Sequence, residues 1–529
     1  MNLKKSEMRN PAGAEVTGLN LVSCAFFRRS ASALGVWLLA LLLASGCTQL
    51  KPLQLPAETA LPMADGQFWE ELENTRTGEW YHLLNTGDEA LAWRLRLIDA
   101  ATVSIDMDTF LWKPDVSGLE ILAHLIAAAD RGVRVRVLLD DSFTMHEDLM
   151  LHAVDEHPNI SYRIYNPFRH RSDSAVLRQL LNLGDFPRIN HRMHNKTLVV
   201  DGRLALVGGR NLADEYFGRH EQMNFRDMEV LAAGPQLPTV NAQFDGFWNS
   251  GWAFPVNMLV KTPDNAGDLD DLRESLAPQL AAVPAAVQFD ETWRRLVAEA
   301  IPGEAEFYFD QPANHNPAEA AERPDQLAAK LRSLIANARA EVVLVTAYLV
   351  PTQELEQVVE AVENRGVQVK ILTNSLQSNN HLAAHAAYHG HLRRLVDHGA
   401  DLHEVKVDAQ DRPLYMDAPV AEKQLGLHAK LLLIDDDLVF IGSCNLDPRS
   451  LKLNTEIGFI IRSRRFNELL RAQLAVDFDV ANAWAVRTTD GGALQWVSTD
   501  QVLDHQPASS LFQRIEDWLV GLLPIDSQM

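Results

Sequence analysis

The 529-residue chain is too long for one ordinary hydrophobic core, and 47% hydrophobic with 22% charged residues excludes a disordered or fibrous class. Its formal net charge of −23 repels polyanions, so no nucleic-acid partner is expected.

At the N-terminus, Arg28 and Arg29 precede an apolar run from Ala31 to Ala44, closed by Ser45-Gly46-Cys47. The run is short for a membrane span and suits the apolar region of an export signal. A cysteine directly after small residues resembles the lipobox of bacterial lipoproteins. That resemblance implies a signal peptide over 1–46, acylation of Cys47, and a tether over 47–74. The mature protein would then be anchored in the bacterial cell envelope, facing the periplasm. Thr48 in place of Asp favours the outer over the inner membrane. A plain secretory signal with an incidental cysteine is the alternative. Cys24 leaves with the leader, so Cys47 and Cys444 provide no disulfide framework.

Beyond the tether, "VSIDMDTFLW" from Val103 reads as a strand, and Leu119, Leu122, Leu125 and Ile126 give a helical spacing. "RGVRVRVLLDDS" around Gly132 is a second strand, and "HNKTLVVD" from His194 a third, running on to Gly208-Gly-Arg-Asn211. The series then starts again. "EVVLVTAYLVP" follows from Glu341, "RGVQVKILTNSL" surrounds Gly366, and "HAKLLLID" from His428 leads to Gly442-Ser-Cys-Asn445. Gly132 and Gly366, His194 and His428, and Asp245 and Asp479 all keep one offset of 234 residues. A repeat of that period means two copies of a domain. The spacing predicts an α/β sandwich in each, over 75–261 and 325–529, with a largely parallel or mixed sheet. The Ala-, Pro- and Asp-rich stretch 262–324 reads as a connection with some helix of its own.

In a strand, residues two apart share a face, so His194 projects with Lys196, and His428 with Lys430. Asp201 and Asp435 fall off that face by parity and look like strand-end turn residues with a structural job. A histidine beside a fixed ammonium suits phosphate chemistry: the lysine holds anionic oxygens while the histidine attacks phosphorus or moves a proton. The Gly-Gly and Gly-Ser turns allow close backbone approach, and Asn211 and Asn445 can donate to a phosphoryl oxygen. A nucleophilic histidine also needs an orienting acceptor on its other nitrogen. Glu456 is the candidate in the second copy, and Glu229 or Asp227 in the first.

The doubled His-x-Lys-x4-Asp-x6-Gly-[Gly/Ser]-x-Asn pattern resembles the phospholipase D superfamily over nearly all of the chain after about residue 75. The second motif continues through Arg449, Ser450, Asn454 and Glu456 as that family's longer signature does. The first departs from it, with Gly209 standing where the second has Ser443. This variant is similar to bacterial cardiolipin synthases, in the cardiolipin synthase C-like branch. The resemblance implies two duplicated domains facing each other about a pseudo-two-fold axis. It implies one shared site in which His194, Lys196, Asp201, His428, Lys430 and Asp435 form the catalytic set, without metal or other cofactor. One histidine would form a phosphohistidine, His194 on this reading, while His428 serves as acid and then base. The implied substrates are phospholipids: phosphatidylglycerol, with phosphatidylethanolamine as another donor, the membrane being reached through the lipid anchor. Hydrolysis to phosphatidic acid, a secreted nuclease and an inactive lipid-binding protein are the rival readings.

Three further patterns carry weaker expectations. His381, His385 and His389 repeat every four residues, but without a clear carboxylate partner a metal site is disfavoured, and His385 is a candidate to line a lipid cleft. Cys444 reads as a small buried filler. Leu511, Phe512, Ile515, Trp518, Leu519, Leu522 and Leu523 form one apolar helix face, expected to pack on the second domain, with an interfacial helix as the alternative.

Overall fold

In the computed structural model, residues 50–144, 147–260, 268–285, 287–312 and 326–521 are described. The leader and Cys47 lie outside them. Among the described residues no helix is long and apolar enough to cross a membrane.

The strands are β1 (Trp80–Leu84), β2 (Ser104–Thr109), β3 (Arg134–Asp140), β4 (Ile160–Tyr165), β5 (Thr197–Val200), β6 (Leu204–Gly208), β7 (Met223–Arg226), β8 (Glu229–Ala233) and β9 (Ala253–Pro255) in the first copy. The connection adds β10 (Ile301–Pro302) and β11 (Glu304–Phe309). The second copy has β12 (Glu341–Val345), β13 (Gln368–Asn374), β14 (Asp401–Val405), β15 (Gln424–Leu427), β16 (Leu431–Ile434), β17 (Leu438–Gly442), β18 (Ile457–Arg462), β19 (Ala483–Thr488), β20 (Leu494–Val497) and β21 (Val502–Leu503).

One sheet runs β10-β1-β8-β6-β5-β2-β3-β4-β9 and the other β11-β18-β17-β16-β12-β13-β14-β19-β20-β21. The shared core of each is the same. Three strands run parallel (β2-β3-β4 and β12-β13-β14), and an antiparallel set leads from β5 or β16 outward. The sheets are therefore mixed, and the 234-residue repeat is a repeat of topology. The connection has helices, as expected, and also places an edge strand on each sheet through β10 and β11.

Strand parity builds the layers. Leu198, Val200, Leu204 and Leu206 turn to the helix-covered core of the first copy. Val199, Ala205 and Val207 turn the other way, into a cluster shared with Val343, Leu431, Leu433, Val439 and Ile441. The two sheets thus pack face to face, burying an apolar layer whose removal from water is a main source of stability.

The segment Arg169–Phe186 forms a compact unit separate from Lys51–Phe168 and the residues that follow it. Within it, Ser174 caps the helix Ala175–Leu181, and Asn182 closes the loop by donating to the His170 carbonyl at 3.0 Å.

Candidate active site

The His-x-Lys segments stand just before β5 and β16 rather than within them. Each is held extended by the other copy. Met193 bridges Thr455, the His194 N–H donates to the Thr455 carbonyl at 3.0 Å, and the Thr455 N–H returns to Arg192 at 2.9 Å. In the second motif β15 pairs in parallel with β7, and the His428 N–H donates to the Arg226 carbonyl at 2.8 Å. A buried side chain fixes the residue before each histidine. Asp140 accepts from the Met193 N–H at 3.0 Å, and Asn374 from the Leu427 N–H at 2.7 Å. Asp140 and Asn374 themselves keep the 234-residue offset, so the repeat alignment held the signal that would have found them.

The orienting carboxylates are exchanged between copies. His194 Nδ1 lies 2.9 Å from Glu456 Oε2, and His428 Nδ1 lies 2.7 Å from Asp227 Oδ2. Register shows these acids to be equivalent. Gly208 pairs with Glu229, and Gly442 pairs with Gly458, so two residues earlier Asp227 matches Glu456. Glu229 has a different place: its Oε1 accepts from Arg94 at 2.8 Å, with both side chains buried. Of the two first-copy candidates, Asp227 faces a histidine and Glu229 does not.

The departure at Gly209 has a steric cause. A Cβ built there would fall 2.6 Å from Asp227 Oδ1, whereas Ser443 fits and contacts Glu456 Oε2 through its hydroxyl at 2.5 Å. A glycine in the first copy and a serine in the second thus go with the two different carboxylates.

Lys196 Nζ donates to its own motif's His194 carbonyl at 2.6 Å, and Lys430 reaches the His428 carbonyl with Nδ1 3.0 Å away. Aromatic rings brace the imidazoles edge-on: Phe110 at 4.9 Å from His194 and Tyr216 at 4.9 Å from His428. No spacing argument points to these rings. Asn211 and Asn445 are buried; Asn211 Oδ1 lacks a hydrogen-bond partner among the described residues, and Asn445 Oδ1 is 3.5 Å from Thr346 Oγ1.

Burial, then the nearby ammonium groups of Lys196 and Lys430, hold His194 well below its ordinary value, so it is neutral. Burial and Lys430 push His428 down to about 3. Against the cost of burial, the hydrogen bond from His428 holds Asp227 ionised at about 2, while burial pushes Glu456 up to about 8. Burial also lowers Lys196 to about 7 and Lys430 to about 8, partly offset by Glu456 and Asp227 respectively. Asp108, buried and bonded to the Thr197 N–H at 2.7 Å, is pushed up to about 6 by burial. Two neutral imidazoles with their Nδ1 edges committed to carboxylates leave Nε2 for chemistry, and two amines nearby are suited to an anion.

Asp201 and Asp435 do not join this group. Each follows the strand that leads away from its histidine, in a left-handed turn (φ 54° and 50°). Asp201 accepts from the N–H groups of Thr102, Val103 and Ser104 at 2.8 Å and from Trp69 Nε1 at 3.0 Å. Asp435 accepts from the N–H groups of Arg339, Ala340 and Glu341. Placing them in the catalytic set is corrected: they fasten the start of β2 and β12.

Cys444 is a buried member of the second core, its thiol pushed well up by burial. His385 is fully buried, so it lines no cleft. Its Nδ1 meets Asp517 at 2.9 Å, the carboxylate partner that sequence spacing did not reveal. His391 turns instead to Glu356 at 2.6 Å, and among the described residues no group of side chains has the arrangement of a metal site.

Comparison with known proteins places this geometry. The family described as cardiolipin synthase, PLD-like domain, matches residues 95–248 and 331–478. The chain belongs to this phospholipase D-like family. Cardiolipin synthase C of Escherichia coli (strain K12) is 33% identical over 459 residues, 83% of this chain and 93% of that protein. Cardiolipin synthase B of the same strain is 28% identical over 406 residues, 75% of this chain and 80% of that protein. The crystal structure of phosphatidylserine synthase from Haemophilus influenzae Rd KW20 matches 77% of this chain and 89% of its own, with 16% identity and a TM-score of 0.49. The two copies are phospholipase D-like domains, and the protein is an enzyme of that superfamily.

Proposed function

We propose that the protein is a cardiolipin synthase working through a phosphohistidine. The observation that carries the chemistry is the pair of neutral imidazoles, each oriented by a carboxylate of the other copy at 2.9 and 2.7 Å. The similarity to cardiolipin synthases C and B supports transfer between phospholipids over hydrolysis.

In the first step His194 Nε2 attacks the phosphorus of phosphatidylglycerol. Once His428 has taken a proton from water at Nε2 as the anionic phosphodiester binds, the bond to the glycerol oxygen breaks and His428 gives that oxygen this proton, releasing glycerol and leaving His428 neutral. In the second, the hydroxyl of another phosphatidylglycerol gives its proton to His428 and attacks the phosphorus, and the N–P bond breaks to release cardiolipin. His194 suits the first role, being held neutral by burial and the nearby ammonium groups with its Nδ1 set by Glu456, which leaves Nε2 free to attack. His428 suits the second, because ionised Asp227 stabilises the imidazolium as it forms. Lys196 and Lys430 hold the phosphoryl oxygens. Phosphatidylethanolamine as donor would release ethanolamine, and water as acceptor would give phosphatidic acid.

Incubating the enzyme with defined phospholipids in detergent, followed by mass spectrometry, tests the reading. Cardiolipin with one glycerol released per molecule is expected; phosphatidic acid alone would make the enzyme a hydrolase. Trapped label should sit on His194 and be stable to base and labile to acid. We further propose that Cys47 is acylated and anchors the protein in the envelope. Globomycin should then accumulate precursor, and unchanged acyl labelling of Cys47→Ala would refute the anchor.

A further inference from the structure

The C-terminal helix Leu511–Val520 is mounted with its polarity reversed. Its apolar residues were expected to pack on the second domain. Instead Leu511, Phe512, Ile515, Trp518 and Leu519 are 71, 66, 45, 60 and 51% exposed, while Asp517 is 3% exposed. Asp517 faces inward between His385 Nδ1 at 2.9 Å and His389 Nδ1 at 3.4 Å, both on the helix Leu382–His398. A buried carboxylate must be paired to be tolerated, so this clamp fixes which face looks out. A contiguous exposed apolar face on one helix marks an interaction surface.

One chain of contacts ties the helix to the second copy's side of the candidate active site. Gln513 Nε2 donates to the Leu376 carbonyl at 2.9 Å, two residues beyond Asn374, which holds the residue before His428. The first copy has its own exposed ring on the approach to His194: Phe143, 46% exposed, packs edge-on against Phe110 at 5.4 Å, and Phe110 packs on His194 at 4.9 Å. The helix is thus tied to the His428 side through Gln513, and the exposed ring of Phe143 to His194 through Phe110.

We propose that the Leu511–Val520 helix lies in the interfacial layer of a phospholipid bilayer and so seats the site on the membrane. The inference deepens the proposed function and rests on its phospholipid substrate, whose acyl chains remain in the bilayer while the headgroup reaches the histidines. A bilayer fits this surface better than a protein partner does. Trp518 is an interfacial side chain by nature, and the substrate proposed for the site is itself a bilayer lipid. The chain's net charge of −23 offers no attraction to anionic lipid, so docking is apolar and changes little between low and high salt.

The test uses the full chain with Cys24→Ala and Cys47→Ala, which removes any acyl anchor, and a nitroxide on Trp518→Cys. On vesicles of phosphatidylcholine and phosphatidylglycerol, the label should become accessible to dissolved oxygen and shielded from a water-soluble nickel relaxant, equally at 50 mM and 500 mM salt. Ile515→Glu with Leu519→Glu should cut vesicle binding and turnover of vesicle phospholipid at least tenfold, while turnover of monomeric short-chain phospholipid stays within twofold. A label that stays in water, spin–spin broadening between two copies, or equal loss on both substrates would each overturn the docking surface. The label reports binding without turnover. A helix that enters the bilayer in a protein making neither cardiolipin nor phosphatidic acid would therefore refute the proposed reaction and leave the docking intact.

Discussion

Glu456 reaches His194 from 262 residues away along the chain and accepts at Nδ1 over 2.9 Å, while Asp227 does the same for His428 over 2.7 Å. Each imidazole is thus set by the copy to which it does not belong. Glu456→Gln and Asp227→Asn should each lower kcat by about 10² to 10⁴ with little change in KM, because an amide disturbs tautomer and orientation and leaves the cleft intact. Adding His428→Ala to Asp227→Asn should cost little more than His428→Ala alone, since groups acting as a unit are non-additive. Steady-state kinetics of the four variants checks this, and wild-type kcat in Asp227→Asn would refute the exchanged pairing.

Glu229 and Asp201 should behave in the opposite way. Glu229→Gln breaks a buried pair with Arg94, which should cost about 3–5 kcal/mol in urea unfolding. Asp201→Ala leaves three backbone N–H groups and the Trp69 indole N–H without their acceptor, again a loss of several kcal/mol at about 1–3 kcal/mol per group. The folded fraction of both variants should keep kcat within about threefold of wild type, which active-site titration can read.

Gly209→Ser restores the residue found at the matching place in the second copy, and it should be harmful. The new Cβ would lie 2.6 Å from Asp227 Oδ1, closer than any tolerated contact, so the carboxylate must move off His428. Activity should fall at least about tenfold, whereas Ser443→Gly, which removes a hydroxyl from Glu456 without a clash, should cost less. A fully active Gly209→Ser enzyme would show that Asp227 has room the structure does not give it.

The lysines predict a pH effect with opposite signs for binding and stability. Burial puts Lys196 at about 7 and Lys430 at about 8, so both ammonium groups are present below that range and lost above it. KM for phospholipid should rise as pH passes through 7 to 8, and Lys196→Arg, whose guanidinium does not titrate there, should flatten the rise. Stability should move the other way. The unfolded lysines stay protonated up to about pH 10.4. Above about pH 8, where Glu456 has also ionised, the folded state therefore gains stability as pH rises toward about 10, and loses it as pH falls back through the folded lysine values. Urea midpoints between pH 6 and 10 measure this directly.

Much of this was legible in the sequence because the repeat reports on itself: Gly132 with Gly366 and His194 with His428 give the duplication, and the motif gives the working side chains. The exchange of carboxylates was not legible. Periodicity tells which residues share a strand face within one copy, but which copy a loop leans on is settled by the face-to-face packing of Val199 and Val207 against Val439 and Ile441. The insertion before Asp227 also breaks the 234-residue offset at the point where it would have named the right acid. The C-terminal helix misled for a related reason: its apolar spacing is real, but a single buried Asp517 held by His385 decides which way it turns.

Translation delivers the two copies in order, and the exchange makes that order matter. A nascent first copy carries His194 and Asp227 with neither of their partners, since Glu456 and His428 are still to be made. Both dyads close late, at sequence separations of 262 and 201 residues, the kind of contact that forms last. Both histidines therefore lack their orienting acid until late in synthesis, and a chain released before His428 carries neither dyad.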